Sequence, residues 1–335
     1  MGINFLAGII ISAVLLLLAF HNIDFQSVLN ELKNIDLLYA VPVVAVCALV
    51  QYLRSYRWGL LLQPLLSPQD DRLGQKTLFP VTSVGFLAIM ALPARVGELV
   101  RPYLISGRTG VRMPSALATI VVERIFDVIT VLVMFLLLLC FFPMPGWLAR
   151  SGLVWAAVTV AAVAVLVPPV RQKLLGLAGK FPARLKFLAK WIGQFDSSLT
   201  ACTRSGNLIP FVLLSILIWM LNALTFYLLF PAFGFDVPVQ AAFVVMIVII
   251  IGIAVPSAPG FIGNWHFACL AALAVFGVPR VQALSYAIVS HFLSTSTLAV
   301  LGLLFLPACN VNIMEDLGRM KNLLKAEESR PENRP

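Results

Sequence analysis

Apolar runs long enough to cross a bilayer recur along almost the whole chain, and they leave few folds open. A spanning helix needs about 20 apolar residues. Runs approaching or exceeding that length occupy residues 3–20, 37–62, 117–142, 153–170, 208–230 and 281–306. In hydrocarbon every backbone N–H and C=O must be satisfied within the protein, which selects helices for such runs. The expected fold is all-α: a polytopic transmembrane helical bundle over residues 1–309, with a partly disordered cytoplasmic tail over 310–335. Composition excludes a soluble alternative, because charged residues make up only 12% of the sequence against about 25% in soluble domains.

The formal charge of +9 fits Lys and Arg held against an anionic leaflet. No nucleic-acid-binding motif accompanies it, so no nucleic-acid partner is expected. The five cysteines, Cys47, Cys140, Cys202, Cys269 and Cys309, form no CxxC pattern; neither a disulfide framework nor a metal site is expected. The apolar run Ile9–Phe20 has no basic flank and no small-residue cleavage site. It reads as a retained first span, not a removed leader.

Charge bias orients the spans. The joint His21–Asp36 carries Asp24, Glu31 and Asp36 against Lys33 and is placed outside, which puts the N-terminus inside. The second span then leaves at Arg54 and Arg57 on the cytoplasmic side. The segment Arg171–Asn207 holds Arg171, Lys173, Lys180, Arg184, Lys186, Lys190 and Arg204 against Asp196, and is placed in the cytoplasm. Within it Leu188, Trp191, Ile192, Phe195 and Leu199 share one helical face, the pattern of a helix lying in the interface.

Two further apolar stretches, 78–105 and 238–278, are broken by proline and glycine. A full crossing by the first would export Arg95, Arg101, Arg108 and Arg112, so it reads as a re-entrant hairpin dipping in from the cytoplasm. By parity the second dips in from outside, giving two hairpins of opposite orientation. Their breaks share a pattern. One reads Pro93-Ala94-Arg95-Val96-Gly97-Glu98 and the other Pro259-Gly260-Phe261-Ile262-Gly263-Asn264. Proline removes a backbone donor and glycine permits close backbone approach. Broken helices in two opposed repeats point to a substrate site in transporters, although proline and glycine also kink packed spans without function.

Charges cluster at these breaks. Arg95, Glu98 and Arg101 are spaced so that Glu98 can pair with either arginine. Glu123, Arg124 and Asp127 open the next long span, with Arg124 within reach of Asp127. Charges at membrane depth cost about 2.5–3.5 kcal/mol each on insertion scales and mark candidate functional positions; a solvated helix start is the plainer reading of the second group. His266 and His291 are the histidines in apolar segments, able to share a polar cavity and titrate or to serve as hydrogen-bonded structural groups. Asn222 reads as interhelical glue.

Together, Leu92-Pro93-Ala94-Arg95-Val96-Gly97-Glu98 with Arg101, then Glu123-Arg124-Ile125-Phe126-Asp127, then Pro256-Ser257-Ala258-Pro259-Gly260-Phe261-Ile262-Gly263, resemble the flippase-like membrane family that includes the transmembrane domain of lysylphosphatidylglycerol synthases. The resemblance covers roughly residues 1–308. It implies a protein of a bacterial-type cytoplasmic (inner) membrane that handles the transbilayer placement or processing of lipids. It does not extend to the synthases' soluble aminoacyl-transferase domain, the sequence given ending at Pro335. Where many members carry a glutamate after the last motif glycine, this chain has His266.

No nucleophile elbow, zinc-protease helix or phosphate-binding loop occurs. Asp70-Asp71 lies beside Arg72 and reads as a solvated loop. The expectation is therefore not an enzyme, and no cofactor. The sequence favours a flippase or scramblase of an anionic phospholipid or lipid-linked headgroup, with Arg95, Arg101 and Arg124 receiving phosphate and Glu98, Glu123 and Asp127 steadying them. The alternative is a non-transporting membrane partner of a separately encoded lipid-modifying enzyme. The orientation is testable: a single cysteine at position 180, in a cysteine-free background, should resist an impermeant thiol reagent in intact cells. Efficient labelling would invert the topology.

Overall fold

The computed structural model describes residues 2–66, 73–92, 97–142, 144–164 and 206–309, with isolated positions between 176 and 201. Pro93, Arg95, the Asp70-Asp71 pair, the interfacial face proposed for residues 188–199 and the tail from residue 310 lie outside the described residues. The described residues are predominantly helical, and no strand occurs among them. The helices are α1 (Gly2–Phe20), α2 (Phe25–Lys33), α3 (Ala40–Leu62), α4 (Gln75–Ala91), α5 (Val100–Ser106) and α6 (Met113–Phe141), then α7 (Gly146–Ala164), α8 (Leu208–Leu229), α9 (Gln240–Ala254), α10 (Asn264–Ala274) and α11 (Arg280–Phe305).

Four stretches, Leu37–Leu65, Met113–Phe141, Leu208–Phe233 and Arg280–Phe305, are long and apolar enough to cross a membrane. A fifth crossing is available if Ala7–Phe20 and Phe25–Lys33, bent by 79°, act as one span. The chain is a multi-pass membrane protein. Helix α2 falls in what the sequence presented as a plain joint; the Asp24 side chain starts it by accepting from the Gln26 and Ser27 amides, an ordinary N-cap.

Both broken stretches end their first helix at the residue before a proline. Leu92 (φ −95°, ψ 138°) follows α4 and precedes Pro93, and Val255 (φ −68°, ψ 142°) follows α9 and precedes Pro256. Proline disfavours the α region for its predecessor, which explains both stops. Each chain then folds back as a hairpin. Gly97 returns against the backbone of Ala88 and Ile89, and the Asn264 amide at the head of α10 reaches the carbonyls of Gly252 and Val255.

Helix α11 is the rod against which both hairpins are measured. The base of the first lies near its C-terminal end, where Phe79 meets Phe305 and Arg108 donates to the Ala308 carbonyl. The tip of the second reaches its middle, where His291 bonds the Gly260 carbonyl and Trp265 bonds Ser290, while its return limb runs on to the N-terminal end. The described parts of the two hairpins thus meet different stretches of α11.

The second break is held by α1. Ser12 Oγ donates to Asn264 Oδ1 at 3.0 Å and accepts from the Ala258 amide at 2.7 Å. Gly260 and Phe261 have positive φ, 71° and 60°, so no helix can continue through them. Gly263, at φ 89°, lies so close to α1 that a Cβ would stand 2.2 Å from the Ser12 carbonyl oxygen. Gly263→Ala should therefore combine backbone strain of about 1–3 kcal/mol with a direct clash. Thermal unfolding in detergent should show a drop for Gly263→Ala and little change for Gly74→Ala, whose added Cβ meets nothing within 4 Å.

Candidate substrate cavity and its buried charge network

The charged motif of α6 does not open into water; it is folded inward onto three other helices. Glu123 is fully buried. Its two oxygens take the fork of Arg101 from α5, Nη1 at 3.2 Å and Nη2 at 3.3 Å. Arg57 from α3 approaches the same carboxylate at 3.3 Å, and the neighbouring Arg124 also pairs with it. Arg57 Nη1 meets Asp127 at 2.7 Å and the Ser215 hydroxyl of α8 at 3.0 Å. Asp127 further accepts from the Trp219 indole at 3.1 Å and pairs with Arg124 at 3.4 Å. A charge taken out of water is tolerated when paired and multiply hydrogen-bonded, and this lattice supplies both conditions.

Aromatic faces cover the guanidiniums. Arg101 Cζ stands 5.1 Å from the Trp58 ring and 5.4 Å from Phe86, and Arg57 Cζ 5.3 Å from Phe211. Trp58 is fixed in turn by donating to Thr119 at 2.9 Å. The Arg101 stem crosses α4 over Gly85, where a Cβ would lie 2.2 Å from Arg101 Cγ. A side chain there would push α5, and Arg101 with it, off Glu123.

Beside this lattice opens a cavity of about 700 Å³. Its charged pole carries Arg54, Glu98, Arg124 and Asp127 with Asn222; its body is apolar, with Ile89, Val131, Trp155, Phe226, Ile250 and Leu298 among the lining. Both hairpins contribute: Phe86, Met90 and Glu98 from the first, Ile253, Phe261 and Trp265 from the second.

The sequence-derived candidates divide accordingly. Glu98, Arg124 and Asp127 line the cavity, while Glu123 lies wholly behind its wall. Arg101, one of the two arginines that spacing offers to Glu98, is fully buried and gives its fork to Glu123. Asn264 is turned away from the cavity to the Ser12 hydroxyl and to backbone carbonyls. Pro259, Gly260 and Gly263 form the second turn, and Gly97 the return of the first. His266 and His291 pack ring to ring at 5.0 Å, and His266 Nδ1 is buried without a hydrogen-bond partner. Neither belongs to the cavity lining, whereas Phe261 and Trp265 do. Two arginines of α3 were read from sequence only as topology markers. Their signal was available: Arg54 and Arg57, one turn apart inside an otherwise apolar span.

The comparisons with known proteins agree with this architecture. Residues 5–302 match the family model described as the lysylphosphatidylglycerol synthase TM region. This chain belongs to that family. Among curated relatives, a UPF0104 membrane protein of Methanothermobacter thermautotrophicus is 23% identical over 310 residues, covering 86% of this chain and 90% of the relative. A second UPF0104 membrane protein from the same organism is 25% identical, over 75% of this chain and 78% of the relative. The glycosyltransferase AglD of Haloferax volcanii is 24% identical over 93% of this chain, which spans 55% of AglD's length. No solved structure matches.

Removing Glu123 should be the most damaging single change in the lattice. Glu123→Gln leaves Arg57, Arg101 and Arg124 without their shared carboxylate, and breaking a buried pair costs about 3–5 kcal/mol. Arg124→Gln should cost less, since that side chain is 37% exposed. Thermal unfolding of the two purified variants should rank them in that order.

Proposed function

We propose that this chain moves an anionic phospholipid or lipid-linked headgroup between the leaflets of a cytoplasmic (inner) membrane, as a flippase or scramblase without enzymatic chemistry of its own. One observation carries the reading: a single cavity has a charged pole and an apolar body, and both broken hairpins line it. A lipid has the same division of chemistry. Ligand pockets of about 300–1,000 Å³ enclose a small molecule, so a cavity of about 700 Å³ takes a headgroup and the start of its chains, leaving the rest in the bilayer. In this reading both termini face the cytoplasm, and the two hairpins dip into the bilayer from opposite sides. Broken backbone at that depth is tolerated where it lines a cavity.

The family is described by a lipid-modifying synthase, which supports lipid handling. A second reading has one specific observation in its favour. In AglD, named a glycosyltransferase, the matched region is only 55% of the polypeptide. By analogy the present chain would serve as the membrane partner of a separately encoded lipid-modifying enzyme. Proteoliposomes containing only the purified protein separate the two. Transport predicts accelerated loss of protected fluorescent phospholipid when a membrane-impermeant reductant is added outside. Rates equal to protein-free vesicles would remove the transport reading and favour the partner role.

A further inference from the structure

The arginines around the cavity are not equivalent, and the difference singles out one of them. Arg57, Arg101 and Arg124 each have a carboxylate oxygen within 3.4 Å. Arg54 has none within 4.0 Å among the described residues. It is half-buried and lines the cavity. Its guanidinium lies 4.9 Å over the Phe86 ring and makes one hydrogen bond there, to Asn222 Oδ1 at 3.4 Å. The Asn222 amide is not free to turn, because its Nδ2 donates to the Ile218 carbonyl at 2.7 Å. Asn222 therefore presents an oxygen to Arg54, and Phe86 presents a π face. Both orient a cation without neutralising it.

A guanidinium carries five N–H donors in a rigid fork matched to phosphate oxygens. Arg54 uses one of them on Asn222, and its side chain is part of the cavity lining. Charge at this depth is costly unless a counter-ion is at hand; Asp127 shares the cavity wall with Arg54 but lies beyond direct pairing distance, which leaves room for an anionic ligand at the guanidinium. We propose that Arg54, held by Asn222 and Phe86, is the primary anion-binding residue of the cavity, and that the anion is the phosphate ester of an amphiphile. The apolar body beside it, with Val131, Trp155 and Leu298, sets an amphiphile apart from free phosphate. Arg124, on the same wall, offers a second guanidinium to the same group while remaining tied to Asp127. The inference rests on the lipid-handling reading and deepens it by assigning the headgroup's position.

Binding can be read from tryptophan emission, since Trp155, Trp219 and Trp265 line the cavity. The purified full chain would be titrated with monomeric dihexanoylphosphatidylglycerol, with dihexanoylglycerol, which lacks the phosphate, and with inorganic phosphate. Saturable binding of the phospholipid at least tenfold tighter than either control is expected. Arg54→Gln should weaken it tenfold or more, and Arg54→Lys should fall between, keeping charge but losing the fork. Asn222→Asp is nearly isosteric and places a carboxylate against the guanidinium, so it too should cost tenfold or more. Because it preserves volume, it tests the site even if Arg54→Gln fails to fold. Unchanged affinity in Asn222→Asp or in folded Arg54→Gln overturns the proposal. So does absence of phospholipid binding to the unmodified protein, or equally tight binding of either control. Phospholipid translocation that persists without Arg54-dependent binding would sink the site alone. Arg54-dependent binding without translocation would sink the transport reading and leave the site standing.

Discussion

A carboxylate buried among guanidiniums from three helices is the constraint around which this fold closes. Glu123 of α6 receives Arg57 from α3 and Arg101 from α5, besides its neighbour Arg124. None of these groups can be left alone at depth, because an unpaired buried charge costs several kcal/mol. Their mutual satisfaction therefore fixes how the three helices meet, and Asp127 extends the same logic to α8 through Arg57, Ser215 and Trp219. The point matters most for α5, which has seven residues. An isolated helix that short is not stable in water. Its position rests on the Arg101 fork and on the groove that Gly85 leaves for the arginine stem.

The second hairpin solves the same problem with neutral groups. Its interrupted backbone is satisfied by Asn264, Ser12 and His291, through contacts to the carbonyls of Gly252, Val255 and Gly260 and to the Ala258 amide. Hydroxyl and amide bonds between helices are worth about 0.6–2 kcal/mol in membranes, less than a buried ion pair puts at stake. The repeated Pro-x-x-x-Gly pattern thus carries opposite chemistry at its sixth position: Glu98 faces the cavity, while Asn264 faces the protein. The result is one charged wall and one neutral wall around a common space.

The helical class and the placement of both breaks were legible because they depend on local properties. Apolar run length, and a proline after Leu92 and after Val255, act within a few residues of the chain. The Glu123, Arg124 and Asp127 group stood out because charge in an apolar run demands an explanation. What spacing could not give was partnership across helices. Helical spacing allows Glu98 to pair with either Arg95 or Arg101; the structure gives the fork of Arg101 to Glu123, 22 residues along. In sequence Arg54 and Arg57 mark the cytoplasmic border, because arginines near a span's end serve that purpose equally well. Their separation into a neutralised and an unneutralised guanidinium depends on α6 and α8. Helix α2 was overlooked because its cap, Asp24, had already been counted toward the loop's charge.

The bond between Ser12 and Asn264 joins residues 252 positions apart. On a growing chain α1 is made well before its partner α10. Until then the Ser12 hydroxyl must bond elsewhere, and the face of α1 that will receive Gly263 stands open to lipid. The lattice around Glu123 needs nothing beyond Ser215 and Trp219 of α8, so it can assemble while the second hairpin is still unmade. The order of the elements along the chain therefore permits assembly in stages. The charged lattice can then form before α1 closes on α10.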